Sequence, residues 1–134
     1  MRPRLSTLLL SIVITVFAAS GGMAAATLPT QTSCQSGVTV IVTPRNLAAS
    51  TWEFDVVFDT HSQELTDDLG KAAVLVSDGR ASHSPLKWQG DPPGGHHRQG
   101  VLQFKSVSPL PASIELQIKR SGETAPRSFR WQLK

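Results

Sequence analysis

The feature that most constrains the fold of this chain is an alternation of apolar and polar residues with a period of two. It is clearest in residues 51–60, TWEFDVVFDT, where large apolar residues occupy every second position: Trp52, Phe54, Val56 and Phe58. Successive side chains of a β-strand point to opposite faces, so this spacing predicts a strand with one buried and one solvated face. Such a strand must bury its apolar side chains against a second layer of structure.

Six further segments carry the same period or a short apolar run, and turn-forming residues separate them. They are residues 37–44, 72–77, 82–88, 100–107, 112–119 and 126–133. Pro85 interrupts the segment 82–88, and we therefore expect that strand at a sheet edge. Only residues 62–71 show helical spacing, with two leucines four apart, which predicts a single helical turn. Asp67 and Asp68 are expected to start or cap this turn.

About seven short strands in roughly 100 residues predict an all-β fold, an antiparallel β-sandwich. An immunoglobulin-like Greek key is the first expectation, and a small β-barrel is the alternative. The Cys…Trp…Cys spacing of antibody domains is absent, so the expected likeness is one of architecture only. The side chains expected in the core are Val38, Val40, Val42, Trp52, Phe54, Val56, Phe58, Leu102, Phe104, Ile114, Leu116, Ile118, Phe129, Trp131 and Leu133.

The first 26 residues have the layout of a secretory signal peptide. Arg2 and Arg4 precede an apolar run over residues 8–19, and three alanines close the segment. This layout predicts cleavage after Ala26 and export to the periplasm or the extracellular space. The apolar run is shorter than the roughly 20 residues that a membrane-spanning helix needs, and we expect no other span in the chain.

Residues 27–36 are small and polar without any periodicity, and we expect them to form a flexible tail in front of a domain over residues 37–134. The single cysteine, Cys34, falls in this tail, so the chain has no internal disulfide. An unpaired thiol is the expected state of Cys34. A disulfide to another chain and lipid attachment are the alternatives.

The charge of the chain gives no reason to expect nucleic acid as a partner. The sequence has 13 Lys and Arg residues against 10 Asp and Glu residues, a net charge of +3. Two of the basic residues, Arg2 and Arg4, belong to the predicted signal peptide, so the remainder is close to neutral. No basic run interleaved with aromatic residues follows, and a surface that tracks phosphates is therefore not expected.

Three histidines lie in the two segments that carry the candidate site. His61 follows Asp59 at the end of one predicted strand, and His96 and His97 precede another strand, behind two prolines and two glycines. Neutral imidazole is a good ligand for Cu(II) and Zn(II), and a carboxylate can complete such a set. If the two segments meet at one end of the sandwich, the sequence predicts a copper or zinc site there. Its ligands would come from His61, His96, His97 and Asp59.

The same histidines have a second interpretation, in which they tie loops together by hydrogen bonds. The protein would then be a structural or protein-interaction module, with an envelope protein as its partner. The chain has no C-x-x-C, H-E-x-x-H or blue-copper ligand pattern, so spacing does not decide between the two. Asp59, His61 and Ser62 are too close in sequence to form a catalytic triad, and we expect no enzyme. Arg98 is expected to form a half-exposed ion pair with Asp59 or Asp91.

Two motifs give a resemblance that covers most of residues 38–133. The chain carries W-x-F-x-V…D-T-H-S at residues 52–62 and W-x-G…P-P-G-G-H-H-R-x-G-V-L-x-F at residues 88–104. With these motifs it resembles a group of small exported bacterial and archaeal domains that have no assigned activity. The resemblance implies one compact exported domain in which both motifs occur together, and it leaves the choice between a metal site and loop ties open.

Overall fold

A computed structural model of the protein describes residues 28–134, and the predicted signal peptide lies outside the described residues. The described part contains nine strands and one short helix: β1 (Gln31–Gln35), β2 (Val38–Asn46), β3 (Thr51–Thr60), α1 (Leu69–Ala72), β4 (Ala73–Ser77), β5 (Ala81–His83), β6 (Lys87–Gly90), β7 (His97–Lys105), β8 (Ser113–Ile118) and β9 (Arg127–Gln132).

The strands form two antiparallel sheets that share one core. One sheet has the order β1-β2-β3-β7-β6 and the other the order β5-β4-β8-β9. Strands β2-β3-β7-β6 and β4-β8-β9 take the positions of strands A-B-E-D and C-F-G of an immunoglobulin-like Greek key. The predicted all-β sandwich is thus confirmed, with two separate sheets instead of the closed sheet of a small barrel.

The core lies between the two sheets and contains the side chains that the alternation predicts. In β3 the residues at even positions are buried and those at odd positions are not. The ring of Phe54 meets Phe104 edge to face with a centroid distance of 5.8 Å, and it lies 5.7 Å from Trp131 of the opposite sheet. Burial of each large apolar side chain contributes roughly 1.5–3 kcal/mol. Of the predicted core residues, only Leu133 is partly exposed.

The segment 82–88, predicted as a single edge strand, divides between the two sheets. β5 ends at His83 in the four-stranded sheet, and β6 begins at Lys87 in the five-stranded sheet. Pro85 lies between them, and since proline has no N–H to give to a sheet ladder, the chain leaves one sheet there and joins the other. Both pieces are edge strands, as the proline indicates.

The predicted helical turn is present as α1. Asp68 is its N-cap and accepts a hydrogen bond from the backbone N–H of Gly70 at 3.1 Å. Leu65 and Leu69 are both buried, and they anchor the connection between β3 and β4 to the core. Asp67, which the sequence also assigns to capping, is instead a buried ion-pair partner of Arg120.

The expectation of a flexible tail over residues 27–36 is wrong for the five residues that form β1. β1 pairs with β2 through a two-residue turn at Ser36 and Gly37, whose φ values of 53° and 74° match the twist of a hairpin. The polar sequence of β1 has no apolar alternation from which a strand could be predicted, because pairing at a sheet edge needs only backbone groups. Cys34 therefore lies in a strand, where its thiol is exposed and unpaired.

Four connections meet at one end of the sandwich, which we call the loop end. They are residues 36–37, 61–68, 91–96 and 119–126. The first and last described residues, Leu28 and Lys134, lie toward the opposite end, because β1 ends and β9 begins at the loop end. Within residues 28–134, no helix is both long enough and apolar enough to cross a membrane.

Candidate functional site

Two of the predicted ligands, Asp59 and His97, are bonded to each other at the loop end. They lie directly opposite each other in the pairing of β3 with β7, on the outer face of the five-stranded sheet. His97 Nδ1 lies 2.6 Å from Asp59 Oδ1, and the two side chains are 53% and 54% exposed. The hydrogen bond to Asp59, together with the carboxylate charge, raises the pKa of His97 above its ordinary value. The carboxylate thus fixes the orientation of the ring and favours its charged form.

The bond to Asp59 leaves the second ring nitrogen of His97, Nε2, for a ligand. In its neutral form the ring donates Nδ1–H to the carboxylate and carries a lone pair on Nε2. A carboxylate bonded in this way orients the metal-binding histidines of many metal sites. Asp59 is therefore placed to orient His97. His97 is the first residue of β7, two positions before Gln99, whose carbonyl accepts a hydrogen bond from the N–H of Asp91 at 3.0 Å.

The other two predicted ligands, His61 and His96, lie beside this pair. The backbone N–H of Thr60 donates to the carbonyl of His96 at 3.0 Å, so the two histidine-bearing segments are adjacent, which is the condition that the predicted site requires. Both imidazoles are exposed, and neither makes a side-chain hydrogen bond within the described part of the chain. We call Asp59, His61, His96 and His97 the His rim.

The His rim does not bring three ligands to one point. Among residues 28–134 there is no group of three or more His, Cys, Asp or Glu side chains that could hold a metal ion. Residues 1–27 contain none of these four residue types. One chain therefore presents one pre-oriented imidazole, that of His97. Two further imidazoles, those of His61 and His96, lie in the adjoining loops.

Backbone groups tie the two histidine-bearing loops together. The N–H of Leu65 donates to the carbonyl of Gly95 at 2.9 Å, and the N–H of Gly94 donates to the carbonyl of Leu65 at 2.7 Å. Two successive glycines with positive φ, 119° and 73°, let the loop reach Leu65. The interpretation in which imidazoles tie the loops therefore applies only to the Asp59–His97 bond between neighbouring strands.

Arg98 is the side chain that secures these loops, and the prediction that it forms a half-exposed ion pair is wrong. It is 2% exposed and donates to the backbone carbonyls of Leu65, Asp67 and Asp91 at 3.4, 2.7 and 3.2 Å. Its guanidinium lies 5.7 Å from the ring centroid of Trp88, within the range of a cation–π contact. Desolvation of this charge lowers the pKa of Arg98.

A second set of buried charges, which we call the charge cluster, lies under the loops 61–68 and 119–126. It consists of Asp67, Arg120, Glu123 and Arg127. Arg120 Nε lies 3.1 Å from Asp67 Oδ2, and Arg120 also binds Glu123 at 3.1 Å. Arg127 binds the same Glu123 at 2.8 Å. Because every member has an opposite charge in contact, the burial of four charges is compensated.

Arg127 extends the charge cluster to the first hairpin. Its guanidinium donates to the carbonyls of Ser33, Gln35 and Val38 at 3.0, 2.9 and 2.8 Å. The bonds to Ser33 and Gln35 hold the end of β1, and the bond to Val38 holds the start of β2. Arg98 thus contacts the connections 61–68 and 91–96, and Arg127 contacts the hairpin around residues 36–37 and, through Glu123, the connection 119–126.

The positions of these two arginines in the sequence indicate that they are buried, although their charge alone would place them at the surface. Arg98 shares parity with the core residues Leu102 and Phe104, and Arg127 shares parity with Phe129 and Trp131. Parity places both arginines on the inner face of their strands, at the end of the sandwich, where carbonyl groups of the loops replace apolar partners.

An open cleft of about 420 Å³ lies beside the charge cluster, between α1 and the start of the loop 119–126. Its charged groups are already paired. Lys71 Nζ lies 3.8 Å from Asp68, and Lys119 donates to the carbonyl of Glu123. The charged side chains of this cleft are therefore already in contact with partners, whereas His61 and His96 of the His rim are not.

The fold and the site define a class of protein, a β-sandwich that presents a histidine-bearing polar surface on fixed loops. Comparison with known proteins adds no narrower assignment: no family model, no curated protein and no solved structure matches this chain.

Proposed function

We propose that the protein is an exported, non-enzymatic binding module that holds a divalent transition metal ion, copper or zinc, at the His rim. The observation that carries this proposal is the bond of 2.6 Å between Asp59 and His97. It fixes one imidazole, selects Nδ1 as the proton-bearing nitrogen of the neutral ring, and leaves the lone pair of Nε2 outside this bond. Imidazole nitrogen at a water-accessible position is a ligand that both Zn(II) and Cu(II) accept.

The hydrogen bonds that hold the two loops together also support this proposal. Backbone bonds and Arg98 hold the segments that bear His61 and His96, so the fold does not need these two exposed imidazoles. Exposed groups on fixed loops lose little conformational freedom when they bind, which favours affinity. The His rim thus has three imidazoles free to act as ligands, one of which is already oriented.

Titration calorimetry with Zn(II) and with Cu(II) tests the proposal. We expect binding with a Kd below about 10 μM, and we expect the His97→Ala variant to lose most of this affinity. His83→Ala is the matched control, because His83 lies toward the other end of the sandwich and its Nε2 is bonded to Ser77 Oγ at 3.1 Å. The absence of binding to the wild-type protein at millimolar metal would refute the proposal.

A protein-interaction module is the second candidate function. The observation that favours it is the position of the loop end, which lies away from both Leu28 and Lys134 and is fixed by Arg98 and Arg127. Loops held in this way on a sandwich are suited to recognise a protein, here one of the cell envelope. A photo-crosslinking residue at His96 would then trap one envelope protein, and the same residue at Lys134 would not.

A further inference from the structure

We infer that one metal ion is shared between two copies of this chain, with His97 of each copy as a ligand. The inference rests on the proposed function and adds to it the number of chains that form the site. It follows from three observations: the number of ligands in one chain, the exposure of His97 on the outer face of its sheet, and the charge of the Asp59–His97 pair.

The number of ligands in one chain is too small for a closed site. A structural zinc site has four ligands, and a catalytic one has three protein ligands. No group of three candidate side chains converges among residues 28–134, and residues 1–27 have no His, Cys, Asp or Glu to add. A two-fold axis through the ion doubles whatever one chain supplies, because the same patch of each copy meets the other. The two copies of His97 then supply two ligands, one from each chain. The nearest imidazoles that could add further ligands are those of His61 and His96 in the loops.

The surroundings of His97 leave room for a second copy. The His97 side chain is 53% exposed on the outer face of the five-stranded sheet. The next row of the same outer face holds Ile41 and Val57, which lie opposite each other in β2 and β3 and are only half-buried. Two copies that meet at His97 would bring these apolar side chains together as well, which removes apolar area from water.

The charges of the pair suit a shared divalent ion. Asp59 binds Nδ1 of His97 and stays behind the imidazole, at 2.6 Å from it. Two copies therefore place two carboxylates just outside the ligand nitrogens, and their charges balance that of one divalent ion. An ion held by a single chain would have only one such carboxylate.

Sedimentation velocity of the purified protein with and without Zn(II), together with the stoichiometry from calorimetry, tests the inference. We expect a monomer in EDTA, a dimer with Zn(II), and one ion bound for every two chains. His97→Ala and His97→Gln should both remain monomeric with Zn(II). The glutamine can still donate to Asp59, so it separates loss of the ligand from loss of the fold. His83→Ala should dimerise like the wild type.

The possible failures of the two proposals are distinguishable. Binding of one ion per chain without a change in sedimentation would overturn the sharing of the ion and leave the metal-binding function intact. A dimer that persists in EDTA would also overturn the inference, since the ion would not be what joins the copies. The absence of any metal binding would overturn both proposals.

Discussion

His97 and Arg98 are neighbours in sequence with opposite placements. Neighbouring residues of a strand point to opposite faces, so His97 faces solvent on the outer side of the sheet and Arg98 faces the interior. Arg98 is in contact with backbone carbonyls and keeps its loops fixed, and His97 is in contact with Asp59 and keeps one nitrogen open. Of these two adjacent residues, Arg98 thus fixes the loops of the candidate site and His97 provides its candidate ligand.

The Asp59→Asn variant tests the role of the carboxylate. An amide carries no charge and forms a weaker bond to a charged imidazole, so the pKa of His97 should fall toward its ordinary value of 6.5. Metal affinity should also fall, by about 10- to 100-fold, because the ring loses the group that orients it. NMR titration of the His97 ring and calorimetry measure the two effects.

Asp55→Asn is the control for this variant. Asp55 lies on the same outer face of β3, four residues from Asp59, and is 3.8 Å from Arg45 at the exposed surface. Its removal changes the net charge equally, so it should leave the titration of His97 nearly unchanged. Equal effects of the two variants would mean that general surface charge, and not the bond to Asp59, sets the pKa of His97.

At the scale of elements, the connection between β8 and β9 depends on Glu123. This carboxylate lies between Arg120 and Arg127, both of which are buried, and Arg127 in turn holds the hairpin of β1 and β2. The hydrogen bonds and the charge of Arg127, with the charge of Arg120, lower the pKa of Glu123. One side chain thus couples the last strand of the sandwich to the first.

Glu123→Gln should destabilise the protein by about 3–5 kcal/mol at pH 7, because it leaves two buried guanidinium groups without their shared counterion. The folded pKa of Glu123 lies below its ordinary value of 4.5. Its stabilising effect is therefore complete above that value and is lost as the pH falls through the folded pKa. Urea unfolding between pH 2 and pH 7 should show a shallower acid decline for the variant than for the wild type.

Glu53→Gln provides the comparison for this prediction. Glu53 is a partly exposed carboxylate whose nearest cation, the Nε of Arg45, lies 3.8 Å away on the surface. An ion pair of this kind contributes about 0–1 kcal/mol, so the variant should unfold close to the wild type. A Glu123→Gln variant as stable as Glu53→Gln at pH 7 would show that the charge cluster is not what holds the connection.

At the scale of the whole molecule, β1 closes one side of the sandwich. The side-chain amide of Gln31 accepts a hydrogen bond from the N–H of Arg130 on β9 at 3.1 Å and donates to the carbonyl of the same residue. The indole N–H of Trp131 donates to the carbonyl of Pro29 at 2.8 Å. The contacts of Gln31 occupy both backbone groups of Arg130 at the edge of β9, which would otherwise be open to pairing with another chain.

Removal of residues 1–36 should therefore destabilise the sandwich, although the sequence alone would place the domain boundary at residue 37. Arg127 would lose two carbonyl acceptors, Trp131 would lose its partner, and the pairing with β2 would be gone. We expect a loss of at least about 3 kcal/mol, given roughly 1 kcal/mol for each hydrogen bond. Urea unfolding of this chain and of one that begins at Leu28 measures the difference. Equal transition midpoints would contradict the structural role of β1.

The alternation in β3 and its counterparts was enough to predict the sandwich and its core. A period of two assigns each side chain to a face by local geometry alone, so Phe54 and Phe104 could be placed inside without knowledge of their partners. The sequence placed both histidine segments at strand ends but left open whether the two ends meet, and the bond between Thr60 and His96 shows that they do. The polar sequence of β1 had no such pattern, because its pairing depends on backbone groups.

By itself, the sequence determined the all-β class, the inner and outer faces of the main strands, and the two segments that carry histidine. The burial of Arg98 and Arg127, the bond between Asp59 and His97, and the absence of a three-ligand group among residues 28–134 became visible only in the folded chain. The reason is that these outcomes depend on partners far apart in the chain. Arg127 and Ser33 are 94 positions apart, and no local pattern encodes which distant carbonyl a guanidinium will meet.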